Sequence, residues 1–554
     1  MPKRWLLVTC LLLACGGTEA VCERDVGAHT EAASAADRHL LGAAADYPAR
    51  PELEGRIEEL VTSQRARRAA GWEAIARVLT PTPLREPTAL GETRVPRFRT
   101  FYDQEDFARV FQHLYGDLTP EEREARARFP LERVDAAFLW NVGFLDELGT
   151  WPDDRWQSYL ASFDTPEEVN AIGGIRRIQM SPGLTRHVAA SYPEVLDCLA
   201  NGAPPAELAG EPRTDRLMRV AVELDGCAER IVGPFFVARG ATLAATLELL
   251  EPNETAELAL LEGASLAEAE VRCQGASECS AAGPGSMYVR IRGEQGRVVG
   301  AVDVQRTEVA APVSCLRGAL PLDAVSIAAE WRRVEEGMPL PTYDTSAETL
   351  AGLLRDETPT WGEGDGSAMP GPESIYTQRL PTGATFVLAG FHIRTRELPL
   401  GLNVTVWWSD RPDEDFGADR PDSIRALGPP WTSYKMCVVV EHDELDPDPQ
   451  GGFAEDAPSL GAALAAVHEG RGGPTWCSNP YVDAAPGLAR GNCVGCHQHA
   501  MSGVRPGEVA TDGVRFPSSG RLAARNNYPA DGFWGMDAGD GLAGMIQEVV
   551  DYWR

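Results

Sequence analysis

No stretch of the 554 residues supplies the ~18 consecutive apolar positions that a membrane-spanning helix needs. The one apolar run near the start, Trp5 to Ala14, is too short to be a retained span. Basic residues are also in short supply. With 51 Lys and Arg against 82 Asp and Glu, the formal net charge is −31, which disfavours nucleic acid and anionic membrane surfaces as partners. Several catalytic signatures are missing altogether: there is no G-x-S-x-G, no G-x-x-x-x-G-K-[ST], no H-E-x-x-H and no G-x-G-x-x-G after a strand. These absences remove the serine-hydrolase, P-loop, zincin and dinucleotide-binding readings. The acidic run Asp410, Asp413, Glu414, Asp415 and Asp419 lacks the spacing of an EF-hand and reads as a solvated loop in preference to a calcium site. Histidine and cysteine are scarce, at 9 and 12 residues.

Within that scarcity, Cys493, Val494, Gly495, Cys496 and His497 spell C-x-x-C-H, the spacing used for covalent attachment of a c-type haem. In this reading the two cysteines carry the porphyrin by thioether bonds and His497 is the proximal iron ligand. The competing readings are a local disulfide beside a surface histidine, or half of a zinc site. A zinc site would need a second C-x-x-C or an H-x3-H, and neither exists. A single C-x-x-C-H also argues against a di-haem peroxidase.

The amino terminus fits a compartment where such attachment occurs. Lys3 and Arg4 precede the apolar run, and Leu12, Leu13, Ala14 and Cys15 follow; this resembles a bacterial lipoprotein signal with its lipobox. The resemblance implies that residues 1–14 are removed and that Cys15 carries a lipid anchor in the cell envelope; the alternative is a secretory signal cut near Ala20. Apart from Cys10, Cys15 and the haem pair, eight cysteines remain, as a disulfide set in an oxidising compartment would leave. The plausible pairs are Cys273–Cys279, Cys198–Cys227 and Cys437–Cys477.

The expected fold class is multidomain α+β, with an N-terminal helical region, a central β-sandwich and a C-terminal β-rich haem c domain with short helices around C-x-x-C-H. Residues 15–50 read as a flexible tether. Residues 51–205 read as a helical domain: Phe107, Val110, Phe111 and Leu114 repeat at helical spacing after Asp103, and Leu131 to Leu148 adds apolar mass. Thr119-Pro120-Glu121-Glu122 and Thr165-Pro166-Glu167-Glu168 carry the chemistry of capped helix starts. Residues 206–310 show short β-like runs: Met218–Leu224, Ile231–Val237, Leu243–Leu249, Ala256–Leu261, Met287–Ile291 and Val298–Val304. With Gly240-Ala241-Thr242 and Gly283 to Arg290, this stretch resembles the pre-peptidase C-terminal modules of secreted bacterial hydrolases, which implies a binding or spacer role.

Residues 315–554 complete the chain as the haem-bearing part. Strands are expected over Val325–Trp331, Thr385–Ile393 and Leu402–Trp408. The succession Phe391, His392, Glu397, Trp407, Trp408, Asp410, Trp431, Tyr434, Met436, Asn479, Pro480, Tyr481 and C-x-x-C-H resembles a group of exported bacterial cytochrome c domain proteins. The resemblance implies one covalent haem c and electron transfer with redox partner proteins of the envelope. Two other functions stand beside it: a haem enzyme with an open iron site acting on a small molecule, and a non-redox binding lipoprotein with a structural haem. The sixth iron ligand separates a carrier from a catalyst. Met536, 39 residues after His497, has the spacing of a small cytochrome c and is the first candidate. Met436 and His392 are the alternatives inside the resembling block, and Met545, Met501 and His499 compete.

Overall fold

A computed structural model describes residues 41–42 and most of 45–554; residues 1–40, nearly all of 131–174, 202–212, 502–529 and several short loop stretches lie outside the description. Cys15, the tether up to residue 44, Leu131–Leu148 save for scattered residues, Thr165–Glu168 and His499 fall among those outside it. The architecture is mixed α+β and mostly sandwich-like antiparallel sheet. Among the described residues, no helix is long and apolar enough to cross a membrane.

The principal helices are α1 (Gln64–Leu79), α2 (Gln104–Gly116), α3 (Pro182–Ala190), α4 (Tyr192–Asn201), α5 (Pro458–Arg471), α6 (Cys493–His497) and α7 (Leu542–Tyr552). The strands are β1 (Ile175–Met180), β2 (Arg213–Asp225), β3 (Glu229–Val237), β4 (Ala241–Leu249), β5 (Thr255–Glu262), β6 (Glu270–Gly275), β7 (Glu278–Ala282), β8 (Gly285–Gln295) and β9 (Arg297–Glu308). They continue with β10 (Val325–Val334), β11 (Thr377–Arg379), β12 (Thr385–Thr395), β13 (Leu402–Trp408) and β14 (Tyr434–Val439).

Strands β2 to β9 form two four-stranded antiparallel sheets, ordered β6-β5-β8-β3 and β7-β4-β9-β2. Alternation of apolar and polar side chains sends Val220, Val222 and Leu224 of β2 into a core shared with Val232, Leu247, Leu258 and Val302, as a half-buried strand requires. All six expected runs lie in strands. The two that periodicity missed, β6 and β7, are edge strands with mostly exposed side chains. The Cys273–Cys279 disulfide ties one to the other across the two sheets.

A second, six-stranded sheet has the order β14-β13-β12-β10-β1, with β11 also pairing β12. Its outermost strand β1 comes from the amino-terminal half, in register with β10 from Ser326↔Met180 to Trp331↔Ile175. Helix α1 begins at Ser63, whose hydroxyl accepts from the Ala66 amide, a conventional N-cap. It lies on one face of this sheet so closely that a Cβ at Gly71 would sit 3.2 Å from both Met436 and Val438. Helix α2 follows Asp103 as its apolar spacing predicted and opens on an Asp103–Asp106 capping box; Thr119 with Glu122 caps the short helix Pro120–Glu124, as its sequence predicted. Its apolar stripe joins α3, α4 and α7 in a separate helical core with Phe107, Phe111, Leu184, Val195, Ile546 and Val550.

The helical region and the carboxy-terminal region thus share a sheet, this helical core, and a further core between α1 and the sheet that includes Trp72, Ile75, Val406 and Met436. The stretch 213–308 is a sandwich inserted between α4 and β10, and its ends are pinned by a disulfide between Cys198 and Cys315, with Cα atoms 5.7 Å apart. The expected Cys198–Cys227 pair is therefore corrected: Cys227 is exposed on the β2–β3 turn, and the partner of Cys198 lies beyond the sandwich. Sequence proximity suggested the wrong partner because the insertion separates neighbours in space by a whole domain. The other two expected pairs, Cys273–Cys279 and Cys437–Cys477, form.

Candidate functional site

Register divides the candidate residues between the two faces of the large sheet. Phe391, Val406 and Met436 lie in line across β12, β13 and β14, so they share the face covered by α1. His392, Thr405 and Cys437 form the next row and point to the opposite face, because successive strand residues alternate. On that opposite face sits the chain around C-x-x-C-H. Cys477 is bonded to Cys437, and the Asn479 amide donates to Thr405 Oγ1 and to the Val406 carbonyl, both at 2.8 Å. The same side chain accepts from the Tyr481 and Val482 amides. Gly390 makes this docking feasible, since a Cβ there would meet Asn479 at 2.9 Å. Asn479-Pro480-Tyr481, noted from its place in the motif succession, is therefore an anchor for the segment that carries C-x-x-C-H.

From this anchor the chain runs out and returns, closed at its base by the Cys477 amide donating to the Gly491 carbonyl (2.9 Å) and by Asn492 Nδ2 donating to the Thr475 carbonyl (2.6 Å). Asn492 then starts α6: its Oδ1 accepts from the Gly495 amide at 3.0 Å, satisfying one of the donors that a helix start leaves open. Val494 and Gly495 are buried, whereas Cys493, Cys496 and His497 are half-buried. Neither cysteine takes part in a disulfide among the described residues. Burial, with the neighbouring Asp483 and Cys496, pushes the Cys493 thiol well above its ordinary value. This is the reverse of the reactive thiolate in a thiol-redox C-x-x-C.

His497 Nδ1 lies 2.6 Å from the Gly532 carbonyl. A carbonyl only accepts, so Nδ1 carries the proton and Nε2 keeps its lone pair. Burial, reinforced by the Arg394 cation, pushes the imidazole down to about 3, which keeps it neutral, as a metal ligand must be. A capped helix presenting two thiols and an imidazole in its ligand tautomer fits the donor set of a covalent haem. Among the described residues, no three or more His, Cys, Asp or Glu side chains converge as a metal site. The acidic run is instead spent on structure. Asp419 accepts from Arg68 at 2.6 and 2.7 Å, Asp413 pairs with Arg420, and Asp415 is buried against Lys435 at 2.8 Å.

The described candidates for the sixth ligand lie in different surroundings. Met436 faces α1 across the sheet from α6. Met536 is buried in the helical core, in the turn Trp534–Met536 that begins two residues after Gly532. Met545 and Met501 also pack against that core. Among the described candidates, His392 shares the sheet face that receives α6, with Nε2 3.4 Å from Asp483 Oδ2. Burial would raise the Asp483 carboxyl, but His392 and the Asn479 amide outweigh it and hold Asp483 below its ordinary value. On the same face, burial raises Glu330 against the opposing pull of Arg176.

Sequence reasoning missed Asn492, Asp483, Arg394 and the Asp531–Gly532 turn. Asn directly before a helix start and an Asp-Gly dipeptide are readable signals of a cap and a turn. Nothing in the sequence marks Arg394. No known protein family, curated protein or solved structure matches this chain.

Proposed function

We propose that this chain is an exported, lipid-tethered, mono-haem c-type cytochrome that passes electrons to and from redox partners of the bacterial cell envelope. The observation that carries the reading is the hydrogen bond from His497 Nδ1 to Gly532, on a helix that places Cys493 and Cys496 at the attachment spacing. Bound there, haem c supplies a one-electron Fe(III)/Fe(II) couple. Cys493 and Cys496 fix its edge, His497 offers Nε2, and Asn492 and Asn479 hold the helix against the sheet. The three disulfides are consistent with an oxidising compartment.

The test is expression of the full chain with haem-maturation machinery, followed by spectra of the reduced protein with and without carbon monoxide. The expected result is covalent haem with a six-coordinate spectrum that carbon monoxide leaves unchanged, lost in Cys493→Ser, Cys496→Ser or His497→Ala. Of Met536→Ala, Met436→Ala and His392→Ala, only the last is expected to open the iron to carbon monoxide. A high-spin wild-type spectrum with tight carbon monoxide binding would replace electron transfer with the enzyme reading, and a protein that matures without a Soret band sinks both.

A further inference from the structure

The carbonyl that engages His497 sits in a strained turn, and its hold comes from elsewhere in the fold. Asp531 and Gly532 have φ of 48° and 75°, two left-handed residues in succession that Asp tolerates and Gly adopts freely. Arg394, on β12 and 7 % exposed, grips this turn from below. Its Nη2 donates to the Asp531 carbonyl at 2.8 Å, while Nη1 donates to the Leu400 carbonyl at 2.9 Å and to Asn403 Oδ1 at 3.2 Å. A Cβ at Gly532 would collide with the guanidinium. One side of the turn is closed by Asp531 Oδ2, which accepts from Arg396 Nε at 2.6 Å and from the Leu320 amide at 3.0 Å.

We infer that Arg394 is a positioning residue for His497: by clamping the Asp531–Gly532 turn it holds the Gly532 carbonyl on Nδ1 and so sets the electron donation of the imidazole. The inference rests on the haem reading above. A proton held between Nδ1 and a fixed carbonyl makes the ring a stronger donor through Nε2, which favours Fe(III) over Fe(II) and lowers the reduction potential. The clamp needs a planar fork that reaches several acceptors at once. Lysine brings the same charge without that geometry.

Arg394→Lys therefore isolates the clamp from the charge. In the haem-loaded full chain, the expected result is a rise in potential corresponding to about a tenfold change in the Fe(III)/Fe(II) preference, about 59 mV for one electron. Exchange of the His497 Nδ1 proton with solvent, followed by NMR in the reduced protein, should quicken in the same variant. Arg68→Lys is the matched control: Arg68 is a buried arginine that forks onto Asp419 and the Met436 and Phe416 carbonyls beside α1. It should lower the melting temperature and leave potential and exchange unchanged. Where Arg394→Lys does not fold, Gly532→Ala forces a Cβ into a left-handed position and against the guanidinium, and should raise the potential likewise. A haem-loaded Arg394→Lys or Gly532→Ala protein at the wild-type potential overturns this inference alone; a wild-type chain that matures without covalent haem overturns it together with the haem reading.

Discussion

The inserted sandwich and the body that carries C-x-x-C-H are both built largely from antiparallel strands, yet they find their partners at opposite ranges. Every strand of the sandwich pairs within 213–308. The body draws β1, α1 and α2 from before the insertion and β10 to β14, α6 and α7 from after it. The first region has its own core, and its folding depends on loops of ordinary length. The second must close over a whole domain, and the Cys198–Cys315 bond holds that closure. Buried charge differs in the same way. The body is knitted across sequence by Arg68–Asp419, Arg77–Glu397 and Lys435–Asp415, whereas the sandwich pairs, such as Arg219–Glu248 and Arg297–Glu223, are largely exposed and add little.

Excision gives the sharpest test of this contrast. Replacing 213–308 by a short Gly/Ser linker should leave a body that folds, retains the Cys198–Cys315 bond and attaches haem, measured by thermal melting and the Soret band. Removing 45–201 should leave the body unfolded, because β1, α1 and half the helical core go with it. An excised protein that aggregates as readily as the second deletion would erase the distinction. A smaller effect is expected inside the body: Asp415→Ala strands the Lys435 ammonium, 2 % exposed, and should cost about 3–5 kcal/mol in urea unfolding. The smallest lies at the sandwich edge. Cys273→Ser with Cys279→Ser opens a loop of only six residues' separation, and should cost about 2 kcal/mol with no effect on the haem spectrum.

The same contrast explains what could be read from the chain. Six sandwich strands were legible because each is an apolar-rich run bounded by turn residues and pairs within the sandwich; β6 and β7 were not, since exposed edge strands bury too little to leave a pattern. In the body, β12, β13 and α2 announced themselves by periodicity and capping, but β1 read as part of a helical region because Ile175–Met180 carries two arginines and its partner lies beyond the insertion. The acidic run looked solvated for a related reason: Arg68 and Lys435, which claim Asp419 and Asp415, are distant in sequence from what they neutralise or belong to another strand.

C-x-x-C-H was likewise complete in the sequence, for attachment chemistry is local: two thiols and an imidazole at fixed offsets on one turn of helix. The capping Asn492 and the Asp-Gly turn were present as signals too, though without a target. What only the tertiary structure decided is which groups surround that helix. Face alternation across β12, β13 and β14 sends Met436 to one side of the sheet and His392 to the other, and a turn 35 residues downstream is carried to Nδ1 by an arginine from the middle of a strand. The C-x-x-C-H spacing is a property of a pentapeptide; the surroundings of its histidine are a property of long-range packing, because hydrogen bonds act over about 3 Å and only the fold brings those atoms that close.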